Sequence, residues 1–300
     1  MSRVSVVLPT IEEESVFQII KDLKSEFGRS LEIIVVDKSS DAYFKRLKDT
    51  GVVVLRQKDR GVENAIMLGL RHAHGDILAS IDADGTHELR GLIEAVKLVE
   101  KGKYDFVLGN RFGDLQPGAM SAYIHLGNSA LSWIFSVLYH TKIHDVLTGL
   151  FVLTRKSFDS IRDIDPYRAG ISFFAIELAR GGYRLGEVDI KYYKRAYGKS
   201  KLTKSKLVYG VNVASHLIRQ IRDYSPLMLF GGFGAILILV GMGLGLTVFL
   251  QFLNSGVFVT TGRALIAFML VVVGFLFFVA GLILDVLLEI ERKLNSKQQK

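Results

Sequence analysis

The chain has 300 residues, 49% of them hydrophobic and 23% charged, which suffices for a large core and excludes a disordered polymer. It holds no cysteine, so a disulfide framework, a thiolate zinc site and a thiol nucleophile are excluded, and any metal must use oxygen or histidine ligands. The formal net charge of +8 suits a polyanionic partner without choosing among nucleic acid, a phosphate substrate and an anionic membrane.

In chain order, Met1–Pro9 is too short for a secretory signal. "VSVVLPT" (residues 4–10) predicts a strand stopped by Pro9, and "EESVFQIIKDLKSEF" (13–27) an amphipathic helix. "LEIIVVD" (31–37) and "VVVLRQ" (52–57) predict two more strands, and "ENAIMLGLRHAH" (63–74) a helix. "DILASIDAD" (76–84) reads as a strand, "ELRGLIEAVKLVEKG" (88–102) as a helix and "YDFVLGNRF" (104–112) as another strand. Apolar runs too continuous for one-sided strands, separated by helices, predict a mostly parallel sheet covered on both faces, that is, an α/β fold.

Two later runs are of another kind. No charge occurs from Ser225 to Gly262, and after Arg263 none occurs from Ala264 to Leu284. Each is long enough to cross a hydrocarbon core of about 30 Å, so a membrane hairpin with spans near 226–250 and 264–286 is expected. The glycines of "GMGLGL" (241–246) are expected to let the two helices pack closely. Nine lysines and arginines lie between Lys191 and Arg222 with no acid among them, the tail after the second run is basic, and the intervening loop has only Arg263. The positive-inside rule then puts both termini on the cytoplasmic side. Residues 206–224 read as an amphipathic helix along the membrane surface. The expected organisation is a cytoplasmic domain over 1–205, this helix, and the hairpin with its tail over 225–300.

Ligands of parallel α/β sheets bind beyond the carboxyl ends of the strands. Polar residues collect there: Thr10 and Glu13, Asp37, Asp82 and Asp84, and Asn110 with Arg111. No G-x-G-x-x-G follows the first strand and no G-x-x-x-x-G-K-[ST] occurs, which disfavours dinucleotide and P-loop chemistry. Two carboxylates spaced i, i+2 at a strand end suit a hard divalent cation that also holds phosphate oxygens. Each residue has a structural reading as well. Glu13 suits a helix first turn, Asp37 a cap or turn, and Arg111 a surface ion pair. Asp145 reads as a turn former, His87 equally as a solvated loop residue and as a metal ligand or the partner of one, and Glu177 equally as a satisfied carboxylate within an apolar helix and as an active-site carboxylate.

"VVLPTIEEES", "IIVVDKSSD", "DRGVENAIMLGLRHAHGDILASIDADGTH", "LGNRF", "DVLTGLFVLTR" and "RAYGKSK" occur in an order and spacing that resemble the inverting, GT-A-fold glycosyltransferases of family 2. The set looks most like the dolichyl-phosphate mannose synthase and polyprenyl-phosphate glycosyltransferase branch and covers residues 4 to about 205. The resemblance implies a donor site at Pro9, Thr10, Glu13, Asp37, Asp82 and Asp84, with Mg2+ or Mn2+ held by Asp82 and Asp84. It implies catalytic roles for Asp84, Arg111 and Asp145, and an acceptor-phosphate site at Arg111, Arg195, Ser200 and Lys201. Ile11, Glu12 and Glu13 stand where the family often has Y-N-E, and Asp37 and Lys38 where paired aspartates are common. "HELR" lacks the prolines usual after the histidine. The implied reaction moves one hexose from GDP-mannose or UDP-glucose to dolichyl or polyprenyl phosphate. A membrane-bound polysaccharide synthase, or a transferase to a non-phosphate acceptor, is the alternative. Against the synthase, the single tryptophan, Trp133, has no Q-x-x-R-W around it. Membrane lipids are expected partners, and nucleic acid is not, since a carboxylate cluster at the sheet edge does not suit it.

Overall fold

The structure is a computed structural model that describes residues 3–59, 61–164, 172–195, 226–256 and 261–298. The chain divides into two compact units, Met1–Gly210 and Val211–Lys300.

The first unit is built on seven strands: β1 (Val4–Thr10), β2 (Leu31–Asp37), β3 (Val53–Arg56), β4 (Ile77–Ser80), β5 (Phe106–Leu115), β6 (Phe151–Thr154) and β7 (Leu185–Tyr192). They form one sheet in the order β3-β2-β1-β4-β6-β5-β7. β6 pairs antiparallel with both β4 and β5, and every other pairing is parallel. Six carboxyl ends therefore share one edge, and the amino end of β6 joins them there.

The helices are α1 (Ser15–Phe27), α2 (Asp41–Lys48), α3 (Val62–His72), α4 (Leu89–Glu100), α5 (Ala122–Tyr139), α6 (Arg155–Asp159) and α7 (Phe173–Arg180). α1 buries Val16, Ile19, Ile20 and Leu23, a helical-period stripe against the sheet. Each fully buried Val, Leu or Ile contributes about 1.5–3 kcal/mol of transfer free energy. Gly28, at φ 59°, then ends the helix. Gly69 of α3 lies so close to the sheet that a Cβ there would stand 2.4 Å from Val7.

The expected strand through Asp84 is shorter than its apolar run. β4 stops at Ser80, and after Ile81 donates to the Val7 carbonyl the chain leaves the sheet, so both aspartates lie in a loop. Asp84 Oδ1 accepts from Thr86 N at 3.1 Å, an Asx turn, and Gly85 takes φ 74°. β5 in turn runs past the expected Phe112, with a register shift against β7 between Asn110 and Asp114.

In the second unit, α8 (Gly232–Ser255), entered by a π-helical turn at Leu227–Gly231, and α9 (Thr261–Gln298) pack together. Leu227–Ser255 and Gly262–Leu288 are long and apolar enough to cross a membrane. Within "GMGLGL" Gly241 meets the other helix, where an added Cβ would stand 2.8 Å from the Ala267 carbonyl, whereas Gly243 faces open space. The expected juxtamembrane helix over 206–224 lies outside the described residues.

Candidate active site

β1 and β2 end in register, Thr10 opposite Asp37. Asp37 is fully buried and accepts from Ser39 N at 3.1 Å and from Arg56 Nη1 at 3.2 Å, so it organises the turn after β2. Pro9 pairs with Val36, and Thr10 is buried. The loop that follows places Glu13, whose backbone carbonyl accepts from Tyr43 Oη at 2.6 Å.

The loop after β4 carries the two carboxylates. Asp84 Oδ2 accepts from Arg195 Nη2 at 2.7 Å, and Arg195 Nη1 reaches Glu13 Oε1 at 3.5 Å. Arg195, just past β7, thereby ties the loop after β1 to the loop after β4. Burial opposes ionisation of Asp84, but the Thr86 and Arg195 hydrogen bonds outweigh it, and its carboxyl lies below the ordinary range. Asp82 behaves in the opposite way. Desolvation, then the charge of Asp84, pushes its carboxyl up to about 7, although Arg111 and Arg195 pull it down. Its side chain keeps 32% of its surface open, enough to admit a ligand.

Arg111 and Asp145 form a buried bidentate pair. Nε donates to Oδ2 at 2.6 Å and Nη2 to Oδ1 at 2.8 Å, while the Arg111 backbone N–H reaches Oδ2 at 3.1 Å. Nη2 also donates to the Leu147 carbonyl at 3.0 Å, and the guanidinium lies 5.5 Å from the Tyr192 ring centroid. Burial works against the cation, yet Asp145 holds Arg111 more firmly protonated than usual. This is the interior pair that the surface reading of Arg111 did not anticipate.

His87 is not a solvated loop residue. It bridges to Tyr192 as a one-residue antiparallel contact, the rings 5.3 Å apart and edge-to-face, and its Nδ1 stands 3.9 Å from Asp82 Oδ2. Burial, then Arg111, lowers its pKa to about 4, so the imidazole is neutral. Glu177 pairs with Arg180 at 3.2 Å on α7. Ser200 and Lys201 lie outside the described residues.

Gly149 stands within "DVLTGLFVLTR", but nothing in that stretch singles it out. It precedes β6, and a Cβ there would fall 2.2 Å from Asp82 Oδ2, so only glycine leaves room for that carboxylate. Tyr192 and Thr86 likewise emerge only from pairing, Thr86 through its carbonyl, which accepts from Tyr193 N at 2.8 Å.

The donor set fits a divalent cation. Asp82 and Asp84 are carboxylates two residues apart, and Asp82, raised by burial and then by the charge of Asp84, is the group whose ionised form added positive charge would favour. Among the described residues no cluster of three or more acidic or histidine side chains stands ready to hold a metal ion.

Comparison with known proteins agrees with this architecture. The chain is 29% identical over 249 residues to the glycosyltransferase AglJ of Haloferax volcanii, covering 82% of this chain and 80% of the relative. It is 26% identical over 227 residues to a dolichol-phosphate mannosyltransferase of Pyrococcus furiosus, covering 69% of this chain and 61% of that protein. The fold is similar to that of glucosyl-3-phosphoglycerate synthase from Mycobacterium tuberculosis, solved with Mn2+, UDP and its product. There the TM-score is 0.53 at 19% identity, over 74% of this chain and 78% of that one. The glycosyl transferase family 2 profile matches residues 5–161, more than half of the length, and the chain therefore belongs to that family and is a glycosyltransferase.

Proposed function

We propose that this glycosyltransferase moves a single hexose, with inversion, from a nucleoside diphosphate sugar such as GDP-mannose or UDP-glucose to dolichyl or polyprenyl phosphate. The observation that carries the reading is the gathering of Asp82 and Asp84 with Arg195 and the Arg111–Asp145 pair at one sheet edge. Cations and carboxylates so arranged suit two anionic phosphate substrates. The dolichol-phosphate mannosyltransferase relative and the two apolar helices long enough to cross a membrane support a lipid acceptor. The Mn2+ and UDP of the structural neighbour support a metal-assisted nucleotide donor.

In this reading an acceptor phosphate oxygen attacks the anomeric carbon opposite the leaving group. The bond from that carbon to the diphosphate oxygen breaks, and its electron pair departs with the nucleoside diphosphate. A phosphate monoester has a second pKa near about 6 and is already anionic at neutral pH, so no general base is needed. Pro9, Thr10, Glu13 and Asp37 would line the base and ribose. Asp82 and Asp84 would hold Mg2+ or Mn2+, which when bound neutralises charge on the leaving diphosphate. Asp145 fixes Arg111 toward a phosphate, and Arg195, Ser200 and Lys201 would complete the anion site. The head and both termini are assigned to the cytoplasmic side.

One experiment tests acceptor, donor and side together. Membranes containing the enzyme are given a panel of labelled nucleotide sugars with prenyl phosphate or the free prenol. Label should enter organic-extractable lipid with one sugar and only with the phosphorylated prenol. Multiply charged nucleotide sugars do not cross a bilayer, so sealed right-side-out vesicles should stay silent until opened. Label on free prenol or in a long polymer would overturn the acceptor, and transfer by sealed vesicles would reverse the orientation.

Gly149→Ala supplies a separate check on Asp82. The added methyl must displace the carboxylate, and misplacement by about 1 Å can cost on the order of 10²-fold in rate. Activity should fall by that order with the far-UV spectrum unchanged, and normal turnover would remove Asp82 from the site.

A further inference from the structure

Asp84 is engaged at both of its carboxylate oxygens. Oδ1 belongs to its own turn, accepting from Thr86 N at 3.1 Å and from Thr86 Oγ1 at 2.7 Å. Oδ2, the oxygen outside that turn, accepts from Arg195 Nη2 at 2.7 Å, and the same guanidinium reaches Glu13 Oε1 at 3.5 Å. The cluster is largely shielded from water, with 15% of the Asp84 side chain, 12% of Glu13 and 21% of Arg195 exposed. A divalent cation on Asp84 therefore shares Oδ2 with a positive charge one hydrogen bond away, where solvent screens the repulsion poorly. The two arginines of the site differ in this respect. Arg111 is committed to Asp145 and the Leu147 carbonyl, whereas Arg195 holds the group that a metal also needs.

We propose that Arg195 is a resident counter-cation that competes with the divalent metal for Asp84, and that the diphosphate of the nucleotide donor relieves the competition by taking the guanidinium. The inference rests on the reading that Asp82 and Asp84 hold the metal, and it adds an order of affinity to that reading. Metal alone binds weakly, nucleotide alone binds weakly, and each tightens the other by the same factor.

The exchange needs no rearrangement of the backbone ahead of Arg195. Glu88 N donates to the Lys191 carbonyl at 3.2 Å and Tyr193 N to the Thr86 carbonyl at 2.8 Å, so residues 191–193 are pinned to the loop that carries the two aspartates. The guanidinium changes partner by rotation about its own side-chain bonds. Its planar fork matches a diphosphate as well as a carboxylate, since both accept parallel N–H bonds. With Arg195 on the diphosphate, Asp84 Oδ2 is open to the cation, which restores the charge that the guanidinium withdrew.

Mn2+ binding to the purified full-length enzyme in neutral detergent, without nucleotide, reads the competition with no turnover. Bound metal is followed by loss of the spin-resonance signal of free Mn2+. Arg195→Gln removes the positive charge and should bind Mn2+ about tenfold or more tightly than wild type, as loss of a like charge beside a shielded carboxylate requires. Arg195→Lys keeps the charge and should stay close to wild type. Combining Arg195→Gln with Asp84→Asn should abolish the gain. A merely structural arginine predicts the opposite sign, since a disordered site holds metal less well. Unchanged or weaker Mn2+ binding in folded Arg195→Gln, with the Asp84-dependent binding retained, overturns the competition alone. Wild-type Mn2+ binding that Asp84→Asn leaves untouched overturns the metal assignment and the competition with it. The wild-type enzyme supplies a second measurement that no folding defect disturbs. Labelled GDP or UDP should bind more tightly in Mn2+ than in chelator, and equal affinity for both nucleotides under the two conditions overturns the proposal.

Discussion

Asp84→Asn is expected to lower hexose transfer by about 10³-fold or more while moving stability by no more than about 3 kcal/mol. The catalytic loss follows from charge. Stabilising a leaving diphosphate through a divalent cation accounts for several kcal/mol of transition-state free energy, and each 1.36 kcal/mol is tenfold in rate. The limit on the stability effect follows from shape. Asparagine keeps the oxygen that accepts from Thr86 N and Oγ1, so the Asx turn survives. Arg195 keeps Glu13 as a partner. The bond from Arg195 to the carboxylate is charge-assisted, and such a bond contributes about 1.5–3 kcal/mol, which bounds what is lost. Steady-state transfer with added Mg2+ or Mn2+, beside thermal melts, makes the comparison. Normal turnover of the asparagine enzyme in excess chelator would remove the cation from Asp82 and Asp84.

Asp145→Ala should act mainly on the fold. Removing one partner of a buried, hydrogen-bonded ion pair leaves the other charge uncompensated and costs about 3–5 kcal/mol. Asp145 is fully buried and takes three donors from Arg111. The double replacement Arg111→Met with Asp145→Leu should recover most of that loss, since two well-packed apolar groups can stand in for a buried pair. It should not recover transfer. Denaturant titration of both variants, with activity measured alongside, separates the two roles. If the single variant unfolds like wild type, the pair does not hold this part of the sheet together. If the double variant regains full activity, Arg111 has no part in the chemistry.

The strands nearest the amino terminus were legible because their apolar runs are long and end in polar residues, as in "LEIIVVD" over β2. α2 is not legible in the sequence, since only Tyr43 and Leu47 of its eight residues are buried. β6 is likewise not legible: four residues, "FVLT", hold no period that separates strand from helix, and its reversed direction comes from pairing alone. The site divides the same way. Asp82, Asp84, Arg111, Asp145 and Arg195 stand in motifs and could be singled out. The partnership of Arg111 with Asp145 spans 34 residues and that of Arg195 with Asp84 spans 111, and spacing in one dimension carries no such information. The role of Gly149 is not legible in one dimension because it is a volume, the space taken by the Asp82 carboxylate.

The long separation between Asp84 and Arg195 also sets an order of events during synthesis. At about 5–20 residues per second, the 111 residues between them take roughly 6–22 s to translate. Through that interval the nascent chain already carries both acidic groups of the β4 loop but not the guanidinium that later clamps one of them to Glu13. Among the described residues the first helix long and apolar enough to cross a membrane begins at Leu227, so the whole clamp is translated before it. A ribosome-stalled chain ending before β7 would thus have an unclamped, acid-rich loop, and the enzyme gains its closed charge balance as one of the last acts of making the head.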